Sequence, residues 1–389
     1  MQPSLSLDSH LERAPAPRPD VAPMSRLAEQ LQRAWLRRGP MAYLLWPLSC
    51  LMAVLVWVRR LAYQRGWLAS TRLPVPVIVV GNRIVGGAGK TPTTIALLQH
   101  LQARGLRPGV LTRGYKARQD TLPHRILDER THAQLEATDT GDEPLLIWRR
   151  THAPMAIARH RAQGGRALLD AHPEIDILVC DDGLQHLALQ RDIEIIVFDE
   201  RGQGNGWLLP AGPLREPITT PDTPGLRTPP LVLYNAATAS TPLSGFTAQR
   251  TMAPLRSLSH WWAADRASID SKPPPPGATV LALAGIAQPQ RFFDALTALH
   301  YRVQGIPLAD HADFAQLPWD DADIDLIVTE KDAIKLDPIR LQQMRPRTRV
   351  WVAGLDFCPE QAFWAQLDAA LNRLPLRHSR VNPTVTPLT

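Results

Sequence analysis

A glycine-rich loop followed by a lysine and a threonine occupies residues 81–91, between an apolar run and a helical pattern. In such a loop, backbone amides and the helix N-terminus bind phosphate groups, Lys90 reaches the terminal phosphates and Thr91 holds Mg²⁺. The strict motif has glycine at position 84, where this chain has Ile84, so the match is relaxed. A purely structural glycine turn gives no reason for a lysine followed by a threonine. The sequence therefore predicts a nucleotide site made of Ile84, Val85, Gly86, Gly87, Ala88, Gly89, Lys90 and Thr91.

Two familiar nucleotide-binding classes fit the sequence less well. Dimeric partition-type ATPases carry a lysine directly before the two glycines of the loop, and this chain has Val85 there. The segment Thr329-Glu330-Lys331-Asp332 superficially matches the guanine-reading motif of GTPases, but its lysine is one place late and the asparagine is missing. These differences disfavour both classes.

Two consecutive carboxylates follow an apolar run at residues 177–180. Asp181 and Asp182 would lie at the carboxyl edge of a parallel sheet, in the crevice that the phosphate loop also faces. A Walker-B-like acid binds Mg²⁺ at that position. The alternative is that one of the two acids only caps the turn at Gly183. We expect at least one of them to act together with Mg²⁺.

A second acidic pair, Asp142 and Glu143, precedes a helical stretch. Asp142 is a candidate general base, which would take the proton from an attacking hydroxyl. An ordinary helix cap, with Pro144 in the first turn, is the competing interpretation of the same residues. His186 and His311 are ambiguous as well, because isolated histidines often serve only as hydrogen-bonded structural groups.

Composition and charge exclude several classes of protein. The chain has 389 residues, enough for two or three domains, and its 44% hydrophobic and 21% charged residues are typical of a folded protein. The net charge of +6 lies in the first 72 residues, which hold ten arginines, no lysine and four acidic residues. The rest of the chain is neutral, which argues against a nucleic-acid-binding protein. The three cysteines lack zinc-like or disulfide spacing.

The N-terminal region divides into two segments. Residues 1–23 are rich in proline, serine and alanine, and we predict a disordered extension there. Residues 24–72 combine a basic amphipathic pattern with a charge-free run at 41–58, closed by Arg59 and Arg60, which is typical of a membrane anchor. A signal peptide, a buried core helix and in-plane insertion are the alternatives. Because arginines flank both ends, the charge pattern does not fix the orientation.

Apolar strands and helical patterns alternate after residue 73, which predicts an α/β fold with a mostly parallel sheet. We place a phosphate-loop domain at 73–230, a second α/β domain at 231–373 and a disordered tail at 374–389. The glycine- and proline-rich stretch at 201–230 is too long for an ordinary connection, so we expect a functional loop or a domain seam. Residue types alone thus indicate a membrane-associated phosphotransferase or NTPase.

Taken together, the motifs resemble those of the tetraacyldisaccharide 4′-kinase family of lipid A biosynthesis, over residues 41–371. The matching blocks are residues 85–92, 112–115, 141–144, 181–186, 201–217, 310–311 with 314, and 329–332. The resemblance implies two α/β/α sandwich domains, the first with a P-loop NTPase-like parallel sheet, and an N-terminal membrane-associated helix. It also implies a kinase that moves the ATP γ-phosphate to the 4′-hydroxyl of tetraacyldisaccharide 1-phosphate, which forms lipid IVA.

The same resemblance implies roles for individual residues. The family's catalytic base falls on Asp142, with His311 as its partner, and Lys90 takes the phosphate role. The implied metal ligands are Thr91, Asp181 and Asp182. Four positions match family loops and would contact substrate or shape a loop: Tyr115, His186, Arg215 and Glu216. Ala88 and Arg83 depart from the common pattern, and since both positions offer mainly backbone to phosphate, we expect little effect on the chemistry.

ATP and Mg²⁺ are the cofactors that the resemblance implies. The implied partners are an acylated glucosamine disaccharide 1-phosphate and membrane lipid, at the cytoplasmic face of the bacterial inner membrane; nothing in the sequence names a protein partner. The alternative from another class is a membrane-tethered P-loop ATPase switch that acts on a protein. Two features favour the kinase. Val85 stands where a switch ATPase carries a lysine, and the long loop at 201–230 has no use in a switch.

Overall fold

The computed structural model describes residues 35–114, 123–132, 137–219, 223, 226–263, 272–286, 288–309, 314 and 316–376. The helices are α1 (Pro40–Gln64), α2 (Lys90–Ala103), α3 (Ala137–Thr140), α4 (Asp142–Thr151), α5 (Arg161–Ala171), α6 (Leu258–Ala263), α7 (Pro289–Ala298), α8 (Glu330–Ala333), α9 (Pro338–Met344) and α10 (Gln361–Leu371). The strands are β1 (Val77–Gly81), β2 (Pro108–Thr112), β3 (His124–Leu127), β4 (Met155–Ala158), β5 (Ile177–Asp181), β6 (Ile193–Asp199), β7 (Leu231–Asn235), β8 (Phe246–Met252), β9 (Arg256–Ser257), β10 (Thr279–Ala284), β11 (Arg302–Pro307), β12 (Asp325–Thr329), β13 (Arg349–Ala353) and β14 (Leu355–Pro359). The extension predicted at 1–23 and the tail beyond 376 lie outside the described residues.

Within the described ranges, the strands form two sheets. The larger sheet has the order β14-β8-β7-β6-β1-β5-β2-β4-β3, and the smaller has the order β11-β10-β12-β13-β9. The centre of each sheet is parallel, because β1 pairs in parallel with β5 and β6, and β12 pairs in parallel with β10 and β13. The prediction of an α/β fold with parallel sheets is therefore confirmed.

Strand β1 is buried on both of its faces, as its unbroken apolar sequence predicts. Ile78 and Val80 belong to the same core as the apolar side chains of α2 and α4. Val77 and Val79 belong to the opposite core, together with those of α5. The loop that follows β1 therefore starts from a strand that is packed from both sides.

The position of β7 differs from the sequence prediction. We assigned the strand near residue 231 to the second α/β set, but β7 pairs in parallel with β6 of the larger sheet. The chain also returns to this sheet near its end, where β14 pairs antiparallel with β8. The stretch 201–230 is therefore an excursion between neighbouring strands of one sheet. The domain bounds at 230 and 373 stay predictions.

Helix α1 has two different faces. An exposed apolar stripe repeats every three or four residues and consists of Leu44, Leu48, Leu51, Leu55 and Val58. The other face carries the buried residues Ala42 and Ser49, and the Ser49 hydroxyl donates to the carbonyl oxygen of Leu208 at 2.7 Å. By length and composition, α1 could cross a membrane, and 11% of its most apolar stretch is buried. The exposed stripe disfavours the core-helix interpretation.

Arg191 is fully buried and organises the segment between β5 and β6. Its guanidinium donates to the carbonyl oxygens of Gly183, Leu184, His186 and Leu189. It also pairs with Oε1 of Glu194 at 3.3 Å. Because a buried cation is tolerated only when its donors are satisfied, these bonds fix the turn that follows β5.

We expect Arg191→Met to leave these carbonyl oxygens and a buried carboxylate without their cation. The free energy of unfolding should fall by about 3–5 kcal/mol, as for other broken buried pairs. Thermal melting of the purified protein in detergent measures the change. Arg166→Met, on an exposed position of α5, is the matched control and should cost no more than about 0.5 kcal/mol. Equal melting temperatures for the two variants would contradict the role assigned to Arg191.

Candidate active site

The phosphate loop lies at the carboxyl edge of the larger sheet. Strand β1 pairs with β5 so that Val80 is opposite Asp181, and the loop and the carboxylate leave the sheet side by side. The loop ends at Gly89, which caps α2 in a left-handed conformation (φ 96°), and Lys90 is the first residue of that helix. A helix N-terminus presents unpaired amides that bind phosphate. The strand-loop-helix context that the motif requires is therefore present.

Lys90 faces the strand-end carboxylates. Its Nζ lies 3.7 Å from Oδ1 of Asp182 and donates to Oδ1 of Asn82 at 3.3 Å. Arg215 also donates to Oδ1 of Asp182, from its NH1 atom at 3.3 Å. Two cations thus converge on one partly exposed carboxylate beside the phosphate loop.

Asp181 is buried next to Asp182. Its Oδ1 accepts a hydrogen bond from Oγ1 of Thr94, on α2, at 2.8 Å. Burial, followed by the negative charges of Glu143 and Asp182, raises the pKa of Asp181 to about 7, although Thr94 and Lys90 act in the opposite direction. The side chains around this edge therefore do not fully neutralise its negative charge, and such an edge favours a bound cation.

Polar side chains at the ends of β6 and β7 hold the backbone of the phosphate loop. Arg201 donates from NH1 to the carbonyl oxygen of Val85 at 3.1 Å, and Asp199 fixes its guanidinium with an Nε–Oδ2 distance of 2.9 Å. Asn235 donates from Nδ2 to the carbonyl oxygen of Ala88 at 3.0 Å. Strand-end side chains therefore fix the loop at two of its carbonyl groups.

Two loop positions require glycine for both conformation and space. Gly86 has a φ of 95°, and a Cβ atom there would lie 3.1 Å from NH1 of Arg201. Gly89 has a φ of 96°, and a Cβ atom there would collide with Nδ2 of Asn235. An L side chain is strained at such φ values, so the side chains that hold the loop approach it only where glycine stands.

Apolar side chains of the phosphate loop pack against the long loop at 201–217 and against α1. Ile84 and Ala88 are buried together with Leu208 and Leu214, and Ala53 of α1 packs on them. We call these five residues the loop–helix contact. It explains why this chain has Ile84 instead of glycine, and it gives Ala88 a packing role in addition to its backbone.

Arg83 contacts the long loop through its side chain as well as its backbone, whereas we expected a role mainly for its backbone. The side chain is buried, and NH1 donates to the carbonyl oxygens of Pro217, at 3.3 Å, and Ile218. The carbonyl oxygen of Arg83 in turn accepts from the backbone amide of Arg215 at 2.8 Å. The guanidinium and the backbone of one residue therefore tie the phosphate loop to the long loop.

Glu216 is buried and joins α1 to the strand-end residues. Its Oε2 pairs with NH1 of Arg60 at 3.2 Å, and its Oε1 accepts from Nε2 of Gln185 at 3.1 Å. Gln185 donates from the same nitrogen to the carbonyl oxygen of Asn82 at 3.1 Å, and its Oε1 accepts from Arg215 at 3.4 Å. A chain of polar contacts therefore runs from α1 to the phosphate loop.

Asp142 is the first residue of α4, and the helix cap is Gly141, with no capping bond from a side chain. The capping interpretation of Asp142 is therefore wrong. Its Oδ2 lies 3.4 Å from Nζ of Lys335, which follows α8. The neighbouring Glu143 raises the pKa of Asp181 through its charge, so the N-terminus of α4 lies close to the same sheet edge.

His186 is a neutral group at physiological pH. Burial, followed by the positive charges of Arg161, Arg191 and Arg59, lowers its pKa to about 4. Its backbone carbonyl accepts from NH2 of Arg191 at 2.6 Å. The imidazole can therefore donate or accept a hydrogen bond here, but it does not supply a cation for a phosphate group.

The structure brings most of the predicted site residues to one edge of the sheet. Those gathered there are the phosphate loop with Lys90 and Thr91, the acids Asp142, Asp181 and Asp182, and the loop residues His186, Arg215 and Glu216. Tyr115 and His311 lie outside the described residues. The roles of all these residues stay predictions.

Sequence reasoning missed several residues at this edge: Asn82, Gln185, Arg201, Asn235 and Lys335. Asn82 directly follows β1, and Asn235 is the last residue of β7. A polar residue at the end of an apolar strand, the pattern that identified Asp181 and Asp182, therefore also marks these two amides. Lys335 carried no local signal, because its partner Asp142 is far away in the sequence.

The donor set fits a magnesium ion that binds together with a nucleotide. In the part of the chain that the structure describes, no group of three or more His, Cys, Asp or Glu side chains could hold a metal ion. Oxygen donors at this edge include the carboxylates of Asp181 and Asp182, and Thr91, the second residue of α2, adds a hydroxyl. Mg²⁺ in phosphate-transferring sites is usually held by one or two carboxylates and the substrate's phosphates.

Comparison with known proteins gives consistent results. Residues 41–372 match the family model described as tetraacyldisaccharide-1-P 4′-kinase. A tetraacyldisaccharide 4′-kinase from Methylibium petroleiphilum is 50% identical over 347 residues, which cover 89% of this chain and 94% of that protein. One from Leptothrix cholodnii is also 50% identical, over 89% of this chain and 97% of its own length.

A solved structure agrees with the sequence comparisons. The crystal structure of LpxK from Aquifex aeolicus in complex with ATP superposes with a TM-score of 0.67 at 26% identity, over 85% of this chain and 98% of that one. The family match extends from α1 to the end of α10, and the relatives each cover most of the chain. The chain therefore belongs to the tetraacyldisaccharide-1-P 4′-kinase family.

Proposed function

We propose that this protein transfers the γ-phosphate of ATP to the 4′-hydroxyl of a tetraacylated glucosamine disaccharide 1-phosphate, which forms lipid IVA in lipid A biosynthesis. The observation that carries the proposal is the convergence of the phosphate loop, Asp182 and the N-terminus of α4 at one sheet edge. Family membership and the ATP-bound relative support it.

In this proposal the phosphate loop binds the terminal phosphates of ATP and Lys90 neutralises their charge. Phosphoryl transfer needs little covalent chemistry from the protein, so positioning and electrostatic stabilisation carry the catalysis. Asn82 and Asp182 hold the Lys90 ammonium near the loop, at 3.3 and 3.7 Å. The lysine therefore needs only a small movement to reach a phosphate oxygen.

We propose that Thr91, Asp181 and Asp182 hold Mg²⁺ on the nucleotide. When bound, the ion neutralises negative charge on the phosphoryl group that is transferred. Asp181 is anchored by Thr94, while Asp182 is more exposed and nearer to Lys90. This arrangement favours Asp182 for the contact with the ion and Asp181 for its support.

We assign the role of general base to Asp142. Asp142 is the first residue of α4, whose N-terminus lies close to the strand-end acids, and the helix cap is Gly141. The Asp142 carboxylate would accept the proton of the 4′-hydroxyl as the new oxygen–phosphorus bond forms and ADP leaves. The family resemblance supports this assignment, with His311 as its partner.

The proposal places α1 in the cytoplasmic face of the bacterial inner membrane. The exposed apolar stripe of α1 fits a lipid environment, and the arginines that flank it suit anionic headgroups. The opposite face of α1 holds the long loop at 201–217, so an acylated acceptor bound in the membrane would lie near the phosphate loop. Glu216, which is buried between Arg60 and Gln185, then shapes the loop, whereas Arg215 remains partly exposed beside Asp182.

The membrane-tethered ATPase switch that the sequence left open is not supported. The family match extends from residue 41 to residue 372, and the relatives it resembles are kinases. Incubation of the purified protein in detergent with ATP and the acylated disaccharide 1-phosphate tests the choice. Mass spectrometry should show one added phosphate on the lipid; ATP hydrolysis without a phosphorylated lipid would contradict the kinase.

Asp142→Asn keeps the size of the side chain and removes its basicity. We expect turnover to fall by about 10²–10⁴-fold, the range for general base catalysis, while the KM for ATP stays within about twofold of the wild type. Steady-state kinetics with the lipid acceptor measures both quantities. Asp170→Asn, on the exposed side of α5, is the control. Wild-type turnover in Asp142→Asn would remove this residue from the mechanism.

Leu214→Ala opens a cavity in the loop–helix contact. Large-to-small substitutions in a core cost about 2–5 kcal/mol, and here part of that cost should appear as a looser phosphate loop. We expect the KM for ATP to rise about 5-fold or more, since about 1 kcal/mol of lost binding corresponds to that factor. Leu341→Ala, buried in α9 of the smaller sheet's layer, controls for general destabilisation. An unchanged KM for ATP would show that the contact does not support the loop.

Leu44, Leu51 and Leu55 lie on the exposed stripe of α1. Their combined replacement by glutamate should abolish binding to vesicles of phosphatidylethanolamine and phosphatidylglycerol, because charged side chains are expensive in the bilayer. Co-sedimentation measures the bound fraction, and the triple methionine variant is the control. Persistent vesicle binding of the glutamate variant would contradict the anchoring role of this stripe.

A further inference from the structure

Lys335 is a buried lysine at the junction of the two sheets. Its side chain is 7% exposed, and its Nζ lies 3.4 Å from Oδ2 of Asp142 and 3.8 Å from Oδ1 of Asp332. The ring of Phe314 lies 6.0 Å from the same nitrogen. A buried ammonium is expensive unless a negative charge compensates it, and these two carboxylates supply that compensation.

Lys335 lies between two carboxylates. Oδ2 of Asp332 accepts from the backbone amide of Gly285 at 2.9 Å and from Oγ1 of Thr329 at 2.7 Å, whereas its Oδ1 is buried without a hydrogen bond within the described residues. Nζ of Lys335 makes no hydrogen bond within these residues either. The positive charge of Lys335 is therefore shared between Asp332 and Asp142, and the separation to Asp142 is the shorter one.

A second ion pair ties the same two helices together. Arg150, near the end of α4, donates from NH1 to both carboxylate oxygens of Glu330 at 2.9 Å. Glu330 is the first residue of α8, and Lys335 follows that helix. Helix α4, from the layer of the larger sheet, is thus attached at both of its ends to the segment that follows β12 of the smaller sheet.

We propose that Lys335 is a positioning residue for the phosphoryl transfer, which holds the Asp142 carboxylate oriented toward the acceptor hydroxyl. The inference rests on the proposed role of Asp142 as the base. A buried cation at 3.4 Å restricts the rotation of the carboxylate, which needs a fixed geometry for the proton transfer.

Several acids lie on the elements around Asp142. The described ones are Glu143 on its own helix, Asp332 beside Lys335, Asp181 at the sheet edge, and Asp139, which pairs with Arg125. In this acidic surrounding, Lys335 is a cation that the structure places directly against Asp142.

The test uses Lys335→Met in the full-length protein, with steady-state kinetics on the lipid acceptor. We expect turnover to fall about 10-fold or more, as for other losses of positioning, while the KM for ATP stays within about twofold of the wild type. Lys335→Arg, which keeps the charge, should retain most of the turnover. Lys272→Met, which removes an exposed lysine, should change none of these quantities.

A double variant separates this role from a merely structural one. In the Asp142→Asn background, Lys335→Met should lower turnover by no more than about twofold, because its effect passes through the carboxylate that is already gone. Multiplicative losses, or equal losses of turnover in Lys335→Met and Lys335→Arg, would overturn the role of Lys335. Wild-type turnover in Asp142→Asn alone would instead overturn the base assignment. Melting temperatures close to wild type show that the losses are not unfolding.

Discussion

The contact between the phosphate loop and helix α1 is the constraint on which the rest of the site depends. Ile84 and Ala88 are buried against Leu208 and Leu214, and Ala53 of α1 closes this small apolar group. A phosphate loop usually presents little more than glycine backbone and a lysine, but here two of its side chains are part of a core. The orientation of the loop amides is therefore coupled to the position of an apolar helix. The nucleotide loop and the helix that we propose as the membrane anchor thus share one set of contacts.

Polar groups reinforce the same coupling and extend it across the molecule. Glu216 connects Arg60 of α1 with Gln185 and, through it, with Arg215 beside Asp182. On the other side of the edge, α4 is attached to the smaller sheet through ion pairs at both of its ends. The larger sheet thus carries the phosphate loop at its edge, and two ion pairs hold α4 to the segment that follows β12 of the smaller sheet. Removal of one partner from such a pair leaves an uncompensated charge, so these connections are costly to break.

Much of the larger sheet and its edge could be predicted because the signals are local. Strand β1, the glycine loop and α2 are adjacent in sequence, and Asp181 ends a strand of apolar residues. The period of the apolar residues and the spacing of the motif were therefore sufficient to predict these elements. The sheet to which β7 belongs could not be predicted from the sequence. Strand β7 pairs with β6 only after the stretch 201–230, whose glycine- and proline-rich composition is also typical of a linker between domains. The packing roles of Ile84 and Ala88 depend on residues more than a hundred positions away, as does the contact between Asp142 and Lys335. Sequence-local reasoning has no access to such contacts.

Arg191 has a consequence for how the site responds to its ligands. Its bonds to the carbonyl oxygens of the turn after β5 hold the backbone around Gln185 and His186 before any nucleotide arrives. The conformational entropy of that turn is lost when the chain folds, so it does not oppose binding later. A turn that is ordered in advance should add little to the entropic penalty of nucleotide binding, and its backbone should change little when the nucleotide binds. Binding energy that would otherwise be spent on ordering this turn is then available to position the nucleotide.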